Sequence, residues 1–155
     1  MKKFFNGLYW VIIVGALIQF VPVDRTTPPL EASKSFVVRF DSPSPVRQVL
    51  RRACYDCHSY ETVYPFYAFV APVSWSINHN VDRGRRHLNF SVWGDYNKEL
   101  KKGMLEKAVA SINRRSMPVP GYVAKHPEAR LSPQEQKMLE DYFQSILDSG
   151  SYELR

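Results

Sequence analysis

The sequence predicts an all-helical protein in which a single N-terminal transmembrane helix precedes a small helical domain. Three observations predict it. Residues 4–23 (FFNGLYWVIIVGALIQFVPV) carry no charge, and about 20 such residues suffice to cross a bilayer as a helix. Later stretches repeat apolar residues at helical period, with capping and breaking residues at their ends. No stretch shows the apolar/polar alternation of a half-buried strand.

The N-terminal run is read as a retained anchor. Lys2 and Lys3 precede it and Asp24 follows, so the basic end stays in the cytoplasm and the rest of the chain lies outside. A cleaved signal peptide has a shorter apolar region and a small-x-small cleavage site, and a buried core helix fits poorly with Pro22 and the lack of a polar face. With 155 residues, 45% of them hydrophobic, the chain has room for one modest domain. The organisation is therefore an anchor at 1–23, a tether at 24–44 and a folded domain at 45–150. The formal charge of +6 includes the two N-terminal lysines. What remains is a mild basic bias with no stripe of basic and aromatic residues, which excludes a nucleic-acid partner.

The tether segment combines Pro28, Pro29 and Pro43 with Ser, Thr and charged residues, a semi-extended composition. Its FVVRF run is read as a strand or as a segment lying along the domain. Ser44 then reads as an N-cap and Pro45 as a first-turn proline, with Val46, Val49, Leu50 and Ala53 at helical spacing up to Cys54. Residues 55–96 are rich in aromatics and broken by Pro65 and Pro72, which predicts short turns and ordered loops. Around 95–115, Leu100, Met104, Leu105, Ala108, Val109 and Ile112 follow an amphipathic helix, and SMPVPGY breaks it. Ser132, Pro133 and Glu135 form a capping box for a last helix with Met138, Leu139, Tyr142, Phe143, Ile146 and Leu147 on one stripe and Gly150 after its end.

Cys54 and Cys57 are the chain's two cysteines, and His58 follows at once. Four chemistries use this spacing. A disulfide would close a very small loop and constrain the unfolded chain little, and it has no need of His58. A thiol-disulfide oxidoreductase sets its C-x-x-C within a βαβ pattern, and no strand precedes Cys54. Zinc needs four ligands, for which His79, His87, His126 or carboxylates would have to complete the set. In c-type haem attachment both thiols add to vinyl groups and the next residue becomes an axial ligand. One helical turn places the two thiols and aims His58 at the iron. The exported context, the helix leading in and the aromatics afterward favour the fourth chemistry.

The segments CYDCHSYETVYPFYAFVAPVSW, HNVDRGRRHLNFSVWGDY and SMPVPGYVAKHPEARLSPQE occur in that order. Together they resemble the bacterial membrane-anchored haem-binding domain proteins of cytochrome c type, over residues 22–147. The resemblance implies a short, mostly helical, cytochrome c-like domain with one haem behind an N-terminal membrane helix. The location expected is the bacterial cytoplasmic membrane, single-pass, with the haem domain on the periplasmic or extracytoplasmic side.

A second axial ligand is expected, and Met117 is preferred. It stands 59 residues after His58 in a proline-bordered loop between two long helices, and a soft thioether favours ferrous iron and raises the potential. His79 is the rival and would give a low-potential bis-histidine site. Among Arg83, Arg85 and Arg86, Arg83 is the candidate to compensate haem propionates. Trp75 can donate its indole N–H to a propionate, and Trp93, Tyr64, Phe66 and Tyr67 are further wall candidates. The functional expectation is one haem c, covalently attached, in an electron carrier rather than an enzyme. It would exchange single electrons with redox partner proteins such as a respiratory or dehydrogenase complex. A five-coordinate peroxidase or ligand sensor, or a haem subunit without turnover, is the alternative.

Overall fold

The apolar N-terminal run does not form one spanning helix. In the computed structural model, which describes the backbone of residues 2–153 and the side chains of residues 7–153, helix α1 (Lys2–Leu17) has 16 residues. A 3₁₀ turn follows at Ile18–Phe20 and Val21 is extended. At about 1.5 Å per residue, α1 is about 24 Å long, short of a hydrocarbon core of about 30 Å. Among the described residues no helix is long and apolar enough to cross a membrane. The expected transmembrane helix, and with it the single-pass location with a periplasmic domain, is thereby corrected. The side chains of Lys2 and Lys3, on which the orientation rested, lie outside the described residues.

The helix ends where the chain turns onto the domain. The Gln19 side-chain amide accepts from Ala71 N (2.9 Å) and donates to Ala71 O (3.2 Å), and Arg25 donates twice to Ala68 O (2.6 and 3.2 Å). The FVVRF run forms a one-turn helix, α2 (Phe36–Arg39), rather than a strand. Phe36 is fully buried with its ring 5.0 Å from Trp93 and 5.9 Å from Phe143. Phe36 and Val37, within the segment read as tether, thus belong to the core, because a large apolar side chain within a polar stretch still gains by burial.

Helix α3 (Ser44–Ala53) buries Val46, Val49, Leu50 and Ala53 as its spacing predicts. Ser44 is its first helical residue and makes no capping bond; Pro43 takes the cap position. The one-turn helix α4 (Tyr55–His58) follows. Helix α5 (Val73–His87) occupies 15 residues where only turns and loops were expected. Helix α6 (Lys98–Asn113) is capped by the Asn97 side chain, which accepts from Leu100 N. The short α7 (Pro120–Val123) precedes α8 (Pro133–Asp148). No described residue is in a strand. Helices α6 and α8 pack together, α3 joins them through α8, and α4 lies between α3 and α5.

The expected capping box is present at α8. Ser132 Oγ accepts from Glu135 N, and the Glu135 carboxylate accepts from Ser132 N. The same carboxylate takes Arg52 of α3 at 2.7 Å, so one residue both starts α8 and ties it to α3. Gly150, just past the helix, has φ +66, the left-handed conformation that glycine tolerates best. Ser132→Ala should lower stability by about 1 kcal/mol, read as a fall in the urea midpoint at unchanged slope.

Candidate functional site

The C-x-x-C-H segment sits on its own turn because the chain kinks at Cys54, whose φ of −124° and ψ of −37° leave the helical path of α3. Its N–H still closes α3 on Leu50 O, while its carbonyl accepts from the N–H groups of Cys57 (3.2 Å) and His58 (2.9 Å). The result is one tight turn carrying two thiols and an imidazole. The loop after it is fastened from several sides. Thr62 donates to Asp56 O, Val63 N donates to Asp56 Oδ1, and Arg85 of α5 donates to Ser59 O and Thr62 Oγ1.

His58 is held in one tautomer. Its Nδ1–H donates to Leu88 O at 2.9 Å, leaving Nε2 with a lone pair, the arrangement that orients a metal-ligating imidazole. Burial pushes the imidazole below its usual value, against hydrogen bonds to backbone carbonyls that raise it, so it is neutral near pH 7. The two thiols are unpaired. Burial pushes Cys54 up to about 12, with the neighbouring Cys57 adding to the effect, and pushes Cys57 up to about 11, with Asp56 adding. A redox-exchange cysteine needs a depressed value to be a thiolate; these are neutral thiols. Among the described residues no group of three or more His, Cys, Asp or Glu side chains could hold a metal ion, so the four ligands that a zinc site needs are not brought together there.

Helix α5 meets the motif at Gly84. A Cβ there would overlap the Cys57 carbonyl oxygen, so only glycine lets α5 approach closely enough for Leu88, at its C-terminal end, to reach His58. Gly84→Ala should lower stability by about 1–3 kcal/mol, the usual range for overpacking, seen as a lower thermal midpoint.

These elements enclose a cavity of about 440 Å³, within the usual size of cofactor sites. Cys54, Cys57 and His58 line it, and so do Met117, Pro118 and Val119 from the loop after α6. Phe90, Phe143, Leu139, Ile112 and Met104 are among its apolar lining residues. The charged residues in the lining are Arg83, Lys107 and Arg114, with no carboxylate among them. The mouth is therefore cationic.

Of the residues singled out in the sequence, Cys54, Cys57, His58, Met117 and Arg83 share this one cavity, and Trp75 and His79 are outside its lining. The reason is helical register. The face of α5 turned to the cavity is Asn80, Arg83, Gly84 and His87, spaced i, i+3, i+4 and i+7; Trp75 falls off that stripe, and His79, four residues before Arg83, stands at its flank. The three arginines divide their work. Arg85 fastens the loop after the motif, Arg86 pairs with Asp82, and Arg83 has no hydrogen bond or ion pair among the described residues. The wall aromatics also differ from expectation. Trp93 is fully buried in the core, Phe66 is 84% exposed, and Tyr64 and Tyr67 are not in the lining. Phe90, Phe143 and Tyr122 stand there instead.

Sequence reasoning missed Lys107, Arg114, Tyr122 and the Leu88 carbonyl. The first two had a signal: Met104, Lys107, Ser111 and Arg114 repeat every three or four residues on α6. The others meet the motif only through tertiary structure.

A family model described as a haem-binding domain matches residues 13–145 of the chain. No curated protein and no solved structure matches it.

Proposed function

The chain belongs to the haem-binding domain family, and on that premise we propose that it is a mono-haem c-type cytochrome that carries single electrons between redox partner proteins. The observation that carries the proposal is the convergence of Cys54, Cys57, His58 and Met117 on one apolar cavity.

The residues present fit the cofactor. A flat apolar macrocycle suits walls built from Phe90, Phe143 and Leu139. Cys54 and Cys57 would hold it through thioethers, and their neutral thiols carry the hydrogen that such an addition places on the vinyl carbon. His58 would ligate through Nε2, made more basic by the Leu88 carbonyl at its Nδ1–H. Met117 would supply the second axial ligand. Arg83, Lys107 and Arg114 would balance the propionates, which are costly to bring near an apolar cavity unpaired. Bound in this site, haem supplies an iron that changes oxidation state by one electron. The protein's share is to fix the ligands, keep bulk water from the metal and set the potential through a thioether that favours the ferrous state.

Spectroelectrochemical titration of the purified protein tests the reading. A low-spin spectrum in both states is expected, with a reversible wave of slope about 59 mV per tenfold change in the ratio of oxidised to reduced protein, the one-electron value. A high-spin ferric spectrum would favour the five-coordinate peroxidase or sensor instead.

A further inference from the structure

The loop that carries Met117 has little packing of its own. Residues 113–117 are exposed, as are Pro120, Gly121, Ala124 and Lys125, and the next well-buried positions are Ala129 and Leu131. Yet the loop is tied at two points. Tyr122, five residues after Met117, donates its hydroxyl to Asp56 Oδ2 at 2.6 Å. Asp56 lies between the two cysteines and is itself fixed by Val63 N at its other oxygen. The Tyr122 ring stacks on His126 at 4.5 Å and 20°. His126 Nδ1–H donates to the Glu128 carboxylate (3.1 Å), and its Nε2 is hydrogen-bonded to the Tyr67 hydroxyl (3.0 Å). A loop otherwise held by solvent-exposed contacts is thereby bonded to the attachment turn on one side and to the aromatic segment on the other.

We infer that the Tyr122–Asp56 hydrogen bond is a strap that holds the Met117 loop closed over the haem, making Tyr122 and Asp56 positioning residues for the distal ligand. This deepens the reading of Met117 as an axial ligand and rests on it. A thioether binds iron weakly, so its residence there depends on how rarely the loop opens, and a hydroxyl-to-carboxylate bond is among the stronger neutral-to-charged contacts. The link spans 66 residues of sequence. It joins the turn that carries Cys54, Cys57 and His58 to the loop that carries Met117, so the two cannot separate without breaking it. Burial and then the Asp56 bond push the Tyr122 hydroxyl up from its ordinary value, which keeps it a donor throughout the neutral range.

The test is the rate at which imidazole displaces the native ligand from the ferric holoprotein, followed by stopped-flow absorbance. Tyr122→Phe, which keeps the ring and its stacking, and Asp56→Ala should each accelerate displacement about tenfold or more. Asp56→Asn, which leaves one neutral acceptor oxygen for the two donors that Asp56 binds, should displace at a rate between those of Asp56→Ala and the native protein. The double variant Tyr122→Phe with Asp56→Ala should be no faster than Asp56→Ala alone, because both substitutions remove the same bond. Amide hydrogen exchange over residues 117–126 should quicken in Tyr122→Phe while exchange in α6 and α8 stays as it was; uniform quickening across the fold would mark a merely structural role and overturn the strap. Single-variant rates within twofold of the native one, or additive effects in the double variant, would overturn it too. Met117→Ala separates the two layers. If it opens the iron and Tyr122→Phe does not, only the strap fails; if it leaves spectrum and displacement unchanged, the axial assignment fails and the strap with it.

Discussion

Met117→Ala should turn a closed, low-spin haem into an open one that is high-spin or water-ligated, lower its reduction potential and admit cyanide or carbon monoxide, while His79→Ala should leave all three nearly unchanged. Met117 lines the cavity that also holds His58 and both thiols, and His79, at the flank of the cavity stripe of α5, is not part of its lining. Removing the thioether removes the ligand that prefers ferrous iron, and each tenfold loss of that preference lowers a one-electron potential by roughly 60 mV. Met117 is 41% exposed, so its truncation removes little buried surface and the fold should survive. That makes the spectrum, rather than expression level, the readout. If His79→Ala opens the iron and Met117→Ala does not, the distal ligand is His79 and the cavity assignment fails.

The second large effect is expected at the cysteines. In the double variant Cys54→Ser with Cys57→Ser, haem held by His58 and the apolar walls should pass entirely into the organic phase on acid–acetone treatment. Each single variant should keep its haem through one thioether. The visible band of the pyridine complex should move stepwise to the red as each saturated thioether reverts to a conjugated vinyl group. Both thiols are half-buried in the cavity wall, so serine brings polar hydroxyls into an apolar surface, and a moderate loss of stability is expected alongside. A double variant that binds haem as firmly as the native protein would mean that the thiols have a different role.

How much of this was legible in the sequence depends on whether a feature is local. The C-x-x-C-H turn, the α8 capping box and the α6 stripe are each written within one helical repeat and could be read directly. Met117 could be singled out because its loop is bordered by prolines. Helix α5 could not be seen, since its buried positions include Ser74 and Gly84, residues that serve close helix contact and add nothing to an apolar period. The N-terminal run misled in the other direction. Its composition suits a membrane span, but the helix stops at Leu17 and Gln19 turns its amide to Ala71, a contact 52 residues away. Phe36 behaved similarly, a core residue inside a segment whose prolines suggested a tether. The cationic mouth, the Leu88 carbonyl and the Tyr122–Asp56 bond arise where distant segments meet, and no local pattern marks those meetings.

The central claim is that one haem is covalently attached at Cys54 and Cys57. The most direct measurement is the intact mass of the purified native protein after acid–acetone extraction and treatment with a thiol-alkylating reagent under denaturing conditions. The account predicts a mass one haem above that of the polypeptide and no alkylated cysteine. Colour lost wholly to the organic phase, with two alkylated cysteines on the bare chain, would contradict it.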